Sequence, residues 1–248
     1  MAAIYILWLR ELKRYYRSRW QITASLGQPL LFLLALGYGL GPVFRKSGAG
    51  DYLQFVAPGV ISMTVLFSGM FSGIQLIWDR QFGFLKETLV APVPRIYIMI
   101  GRTCGAATTA MIQGLLVALV CTLIGFRPVE PALIPLALGF LVLIALVFTA
   151  LGTTIGSSLN DMQGFQMVMQ LLVMPIFFLS GALFPLNNLP RLLSAITTVD
   201  PLSYGVDGLR SALIAQSHFG ATTDAAVMIG LGILVTCLGA WRFSKIEA

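Results

Sequence analysis

The chain has 248 residues, 57% hydrophobic and 10% charged, against roughly 25% charged in soluble globular domains. With 16 Lys plus Arg and 10 Asp plus Glu, it has too few charges to coat a water-soluble fold of this length, so lipid is the expected solvent for most side chains. A bilayer crossing takes about 20 apolar residues, which leaves room for about six helical spans and excludes a sizeable extramembrane domain.

The chain opens on a pattern that is helical but not spanning. At the helical period Tyr5, Trp8, Leu9, Leu12, Tyr15 and Tyr16 cluster on one side, with Arg10, Lys13, Arg14 and Arg17 opposite. This predicts an interfacial helix over residues 1–20, aromatics inward and cations toward phosphates and cytosol. Its reading is either a topology anchor or, in addition, a grip on a cytoplasmic partner. The first hydrophobic run begins only after Trp20 and is too long for a cleaved signal, so a retained helix is expected.

Six spans are predicted near Ile22 to Val43, Phe55 to Trp78, Thr103 to Phe126, Ala132 to Ser157, Phe165 to Phe184 and Ala225 to Phe243. With both termini cytoplasmic, eleven of the sixteen positive residues fall inside, the usual orientation signal; the net charge of +6 then needs no nucleic-acid partner. Within the spans, neutral Gln28, Gln75, Gln113, Gln166 and Gln170 are expected to face other helices or a cavity. Gln28, beside Pro29, is the candidate substrate-facing position. Gly69-x-x-x-Gly73, Gly101-x-x-x-Gly105 and Gly152-x-x-x-Gly156 predict close helix approach, within one chain or across a dimer. No span is expected to hold an ionisable residue in its interior: Asp79, Arg102 and Asp161 sit at span ends. That argues against proton or ion coupling, and His218, in an outside connection, reads as solvated. Cys104, Cys121 and Cys237 lie in apolar spans, where buried thiols rather than disulfides are expected. His or Cys clusters for a metal are lacking.

Two connections are unusual. Between the second and third spans WDRQFGFLKETLVAPVPR runs from Trp78 to Arg95, with Phe82, Leu85, Leu89 and Val93 at helical spacing before Pro92 and Pro94 end the pattern. A short amphipathic cytoplasmic helix over about 80–95 is predicted, against the membrane or in a groove on a soluble protein. Between the fifth and sixth spans SGALFPLNNLPRLLSAITTVDPLSYGVDGLR from Ser180 carries apolar runs too short to span, divided by Pro185, Pro190 and Pro201. Two short re-entrant helices within about 184–212 are expected to cap a translocation path, with Phe184, Pro185, Pro201 and Tyr204 as candidate path residues.

FGFLKETLVAPVPR with Gly101 and Arg102, then SGALFPLNNLP and DPLSYGVDGLR, resemble the coupling-helix region and the second recognisable block of the ABC-2 family of ABC-exporter membrane subunits, close to those of antibiotic efflux and lipo-oligosaccharide export. Both blocks fall in the expected order in an all-α, six-span frame, residues 21–248 forming the transmembrane domain. The resemblance implies a permease in the cell membrane that pairs with itself or a similar permease and with two copies of a separate ATPase subunit, which would carry the ATP and Mg. No cofactor is expected on this chain. Gly83, Phe84, Leu85, Lys86, Glu87, Leu89 and Pro92 would form the ATPase-coupling surface, Glu87 polar and Phe84 and Leu85 apolar. Trp8, Arg10, Lys13, Arg14 and Arg17 would form the interfacial helix.

None of the four lysines follows a glycine, so there is no Walker A loop here, nor a G-x-S-x-G or H-E-x-x-H motif. The expected activity is export of an amphiphilic or hydrophobic compound: a drug, a lipid or a lipid-linked saccharide. The rivals are an ion-coupled secondary carrier and a lipid-modifying membrane enzyme built on Asp200, Asp207 and His218.

Overall fold

The computed structural model describes residues 2–46, 51–84, 93–159, 161–186 and 190–244. Of the expected coupling residues, Leu85, Lys86, Glu87, Leu89 and Pro92 lie outside them. Among the described residues all regular structure is helical: α1 Ala2–Arg17, α2 Arg19–Lys46, α3 Tyr52–Phe71, α4 Gly73–Gln81, α5 Arg95–Ile124, a 3-10 turn Pro131–Leu133, α6 Ile134–Ser158, α7 Met162–Leu179, α8 Arg191–Val199, α9 Pro201–Ile214 and α10 Ala221–Ser244.

Among the described residues five stretches are long and apolar enough to cross a bilayer: Tyr52–Gln81 (α3 and α4 joined through Ser72), Arg95–Ile124, Pro131–Ser158, Met162–Leu179 and Ala221–Phe243. The remaining expected span corresponds to α2, a 28-residue helix whose described apolar stretch is Ser25–Gly39. Successive stretches run in opposite directions. One end of the bundle gathers α1 with Gln81, Arg95, Ser158 and Phe243; the other gathers Tyr52, Phe126, Leu183 and α9.

The centre is α3, buried nearly all round from Phe55 to Leu66. It crosses α6 on glycines. A methyl on Gly73 would run into the carbonyl of Gly152, and one on Gly156 into the carbonyl of Gly73; at Gly69 it would stand 3.0 Å from the Thr149 nitrogen. Two of the three G-x-x-x-G pairs therefore interlock within one chain. The third, Gly101 and Gly105, seats α1: added methyls would meet the Ile4 carbonyl at 3.0 Å and the Glu11 Cβ at 2.7 Å. The small residues bring backbones together where larger side chains would hold them apart. α7 buries a narrower stripe, Phe165, Met169, Val173 and Phe177, at i, i+4 spacing.

α1 also has a side that packs on the bundle. Leu7, Glu11 and Tyr15 are buried against α5, while Tyr5 and Tyr16 are exposed. The glycine seat decides this, because the flat surface of α5 receives the side of α1 that carries Glu11.

The two short helices stand where the prolines predict them. Pro190 precedes α8, and Asp200 caps α9, its Oδ1 accepting from the Leu202 N–H at 2.9 Å, with Pro201 as the first helical residue. α9 is buried on almost every side and ends at Ala215 in the left-handed region, φ 55°.

Candidate functional site

At the α1 end the functional side chains converge on Asp79, near the C-terminus of α4. Its Oδ2 accepts from Arg10 Nη2 of α1 at 3.0 Å and pairs with Arg102 of α5. One carboxylate thus ties three elements separated by 69 and 23 residues in sequence. Glu11 adds an ion pair to Arg14 and lies 3.7 Å from Arg10. The neighbouring Arg80 donates to the carbonyls of Leu159 at 3.1 Å and Ser157 at 3.0 Å, placing a cation at the C-terminal end of α6 where the helix dipole favours one. Trp8 Nε1 donates to Thr108 Oγ1 at 3.1 Å and closes α1 onto α5.

Arg102 is buried although it stands near the α1 end of the bundle. α5 starts at Arg95, so Arg102 stands about two turns inside it, only 6% exposed. Its charge is tolerable there because Asp79 is brought to it; an unpaired guanidinium in apolar surroundings would cost several kcal/mol. Sequence periodicity shows neither partner. The sole signal was an Asp-Arg pair beside a conspicuous connection.

Beside this knot lies a cavity of about 590 Å³ between α1, α2, α3, α4 and α5. Its wall mixes aromatics (Tyr15, Phe67, Trp78) with amides (Gln28, Gln75, Gln113), and Glu11 and Arg14 border it. Burial pushes the Tyr15 phenol above its ordinary value of 10.0, with Gln113 and Ser25 beside it acting the other way. Gln28, the sequence candidate for substrate contact, faces this space. Gly83 and Phe84 follow α4, and the Phe84 side chain is exposed. Of the basic residues of α1, Arg10 and Arg14 join the knot, while Lys13 and Arg17 point outward.

The other path candidates gather at the opposite end, away from Gln28. Tyr204 donates from its hydroxyl to the Thr198 carbonyl at 2.7 Å and packs its ring 4.8 Å from Phe219; Phe184 is half-buried and Pro185 exposed. Asp207 accepts from the Ser217 hydroxyl at 3.1 Å, the His218 N–H at 2.8 Å and the Phe219 N–H at 2.8 Å. Asp224, fully buried, stands beside it. Arg210 donates to the Gly181 carbonyl at 3.1 Å and lies 4.0 Å over the Phe55 ring. Burial lowers Arg210 to about 10 and raises Asp200 to about 7.

Asp200 and Asp207 are therefore not the solvated loop charges their sequence setting suggests; both are buried, Asp207 at 3% exposure, because α9 folds under the loop that follows it. His218 is exposed and meets Asp207 through its backbone N–H. Among the described residues no group of His, Cys, Asp or Glu is arranged to hold a metal, and Cys104, Cys121 and Cys237 are free thiols.

Several long apolar helices, an ion-paired knot at one end and a mixed cavity beside it define a multi-pass membrane transport subunit. The chain belongs to the ABC-2 type transporter family, which it matches over residues 2–214, so that only α10 lies beyond the match. It is 27% identical over 217 residues to Nodulation protein J of Rhizobium leguminosarum bv. viciae, covering 84% of this chain and 83% of that protein. It is 26% identical over 235 residues to Nodulation protein J of Rhizobium meliloti (strain 1021), covering 89% and 88%. To the putative transport permease ycf38 of Cyanophora paradoxa it is 28% identical over 217 residues, covering 84% and 74%.

Proposed function

We infer that the chain is the membrane half of an ATP-driven exporter of amphiphilic or hydrophobic compounds. Two copies, or one copy and a similar permease, join two ATPase subunits at the α1 end, which is the cytoplasmic side. Residues 80–95 dock on the ATPase, with Glu87, Phe84 and Leu85 at the contact; ATP and Mg are bound by that partner. α1 lies along the inner headgroups, and α8 with α9 re-enters from the outside to close the far end of the path.

The observation that carries this reading is Asp79. It stands at the root of the docking segment and is held by Arg10 and Arg102. Displacement of the segment is therefore passed to α1 and α5, which together with α2 and α3 wall the cavity. The long arginine side chains can change geometry without leaving their carboxylates, so the hairpin moves and the knot stays paired. The cavity's amides and aromatics suit a cargo with an apolar body and hydrogen-bonding groups.

The test is co-expression with a candidate ABC-type ATPase subunit from the same organism, followed by co-purification and transport in vesicles. Asp79→Asn is expected to leave the complex assembled and to abolish stimulated ATPase activity; Glu87→Ala with Leu85→Ala is expected to release the ATPase. Transport that persists without ATP while ion gradients are intact overturns the reading in favour of a secondary carrier.

A further inference from the structure

Cations of the knot and three cations outside it line a second concavity. Arg10, Lys13, Arg14, Arg17 and Arg19, with Ser18 and Trp20, line an open depression of about 830 Å³ where α1 meets α2. Arg10 and Arg14 are already engaged by Asp79 and Glu11. Lys13, Arg17 and Arg19 have no acidic partner among the described residues, and the sequence holds no Asp or Glu from residue 12 to residue 50. Trp20, 87% exposed, forms an aromatic rim.

This concavity adjoins the amide-and-aromatic cavity, and Arg14 and Ser18 line both. A single molecule lying across them would meet three unneutralised cations at one end and Gln28, Phe67 and Gln113 at the other. Planar guanidinium groups match oxyanions in a fork geometry, and cations clustered at the interface add attraction for an anionic head.

We propose that the concavity of Lys13, Arg17 and Arg19 is a binding site for the phosphate or similar oxyanion head of an amphiphile whose body occupies the adjoining cavity. The transported class is then anionic amphiphiles rather than neutral or cationic ones. This rests on the exporter reading for its consequence, but not for its test. The head is held by cations that the knot does not use, so loading the site leaves Asp79 paired.

The experiment measures binding to the purified chain in phosphatidylcholine nanodiscs without ATP, using two single-chain probes of equal length, lysophosphatidic acid and lysophosphatidylcholine. The anionic probe is expected to bind at least about tenfold tighter, a preference that falls with salt in the unmodified chain. The triple variant Lys13→Gln, Arg17→Gln, Arg19→Gln is expected to lose the preference while keeping its affinity for the zwitterionic probe, which also reports that it is folded. Gln28→Trp, which fills the cavity, is expected to weaken both probes. Equal affinities in the unmodified chain, or a preference insensitive to salt, overturn the proposal. Undiminished anionic binding by Gln28→Trp overturns it in favour of a bilayer-surface headgroup contact. A triple variant that keeps its preference and instead releases the ATPase subunit assigns the cations to an acidic protein surface. A preference without any ATP-driven movement sinks the exporter reading and leaves the site standing.

Discussion

The two ends of the bundle bury comparable charges in opposite ways. At the α1 end the charges are held by other side chains: Asp79 by Arg10 and Arg102, Glu11 by Arg14. At the α9 end they are held largely by backbone: Asp207 by the His218 and Phe219 amides, Arg210 by the Gly181 carbonyl, Asp200 by the Leu202 amide. Long side chains rotate and follow one another as their helices shift, whereas a carboxylate bound to successive amides fixes the local path of the chain. The first arrangement suits a joint and the second a latch.

The largest effect should come from breaking the joint. Asp79→Ala leaves Arg102 buried and unpaired and is expected to cost about 3–5 kcal/mol, read as a lowered unfolding temperature of the purified chain. Adding Arg102→Met should restore most of that loss without restoring stimulated ATPase activity, because the charge is gone but so is the tie between elements. A single variant as stable as the parent would mean that the pair is not structural.

Breaking the latch should cost somewhat less. Asp207→Ala strips the acceptor from the Ser217 hydroxyl and two amides, for about 2–3 kcal/mol. Proteolysis within residues 215–220 should accelerate while the α1 end keeps its probe binding. Loss at both ends would show that the two are not independent.

Gly105→Ala sharpens the comparison at the seat of α1. The added methyl meets the Glu11 Cβ at 2.7 Å, and overpacking of this kind costs about 1–3 kcal/mol. Part of that is offset by about 1 kcal/mol of helix propensity. The expected signature is a red-shifted emission from Trp8 in a chain whose other tryptophans are replaced by phenylalanine. An unshifted emission would put the seat elsewhere.

The smallest effect is a pH dependence confined to the latch. The folded Asp200 carboxyl titrates near 7, above its ordinary value of 3.8, because burial disfavours the charged form. The folded state therefore binds the proton more tightly than the unfolded one. The resulting stability is fully present below about 3.8 and is lost as pH rises through about 7. Amide exchange at the start of α9, corrected for intrinsic rates, should be faster at pH 8 than at pH 5.5. Asp200→Asn keeps a capping oxygen and should abolish the difference.

Much of this architecture was legible beforehand. Apolar runs located the five long helices, prolines 190 and 201 located α8 and α9, and the glycine pairs announced close crossings. What the glycines approach was not legible, because Gly73 and Gly152 meet through backbone atoms that carry no sequence signature. The candidate site was half legible. Gln28, which lines the cavity, stood out because an amide in a span needs a reason, but the knot depends on contacts across 69 and 23 residues that no local pattern encodes. The helical projection of α1 gave no sign of its packing against α5, since it cannot weigh the groove that receives Glu11.

The glycine crossing of α3, α4 and α6 has a mechanical consequence. Where main chains touch with nothing between them, no rotamer can yield, so the crossed helices must travel as one stiff spar. Ser18, between α1 and α2, lies outside the spar and lines the chamber, so a small tilt of α1 there changes the chamber's width while the crossed helices move as a block.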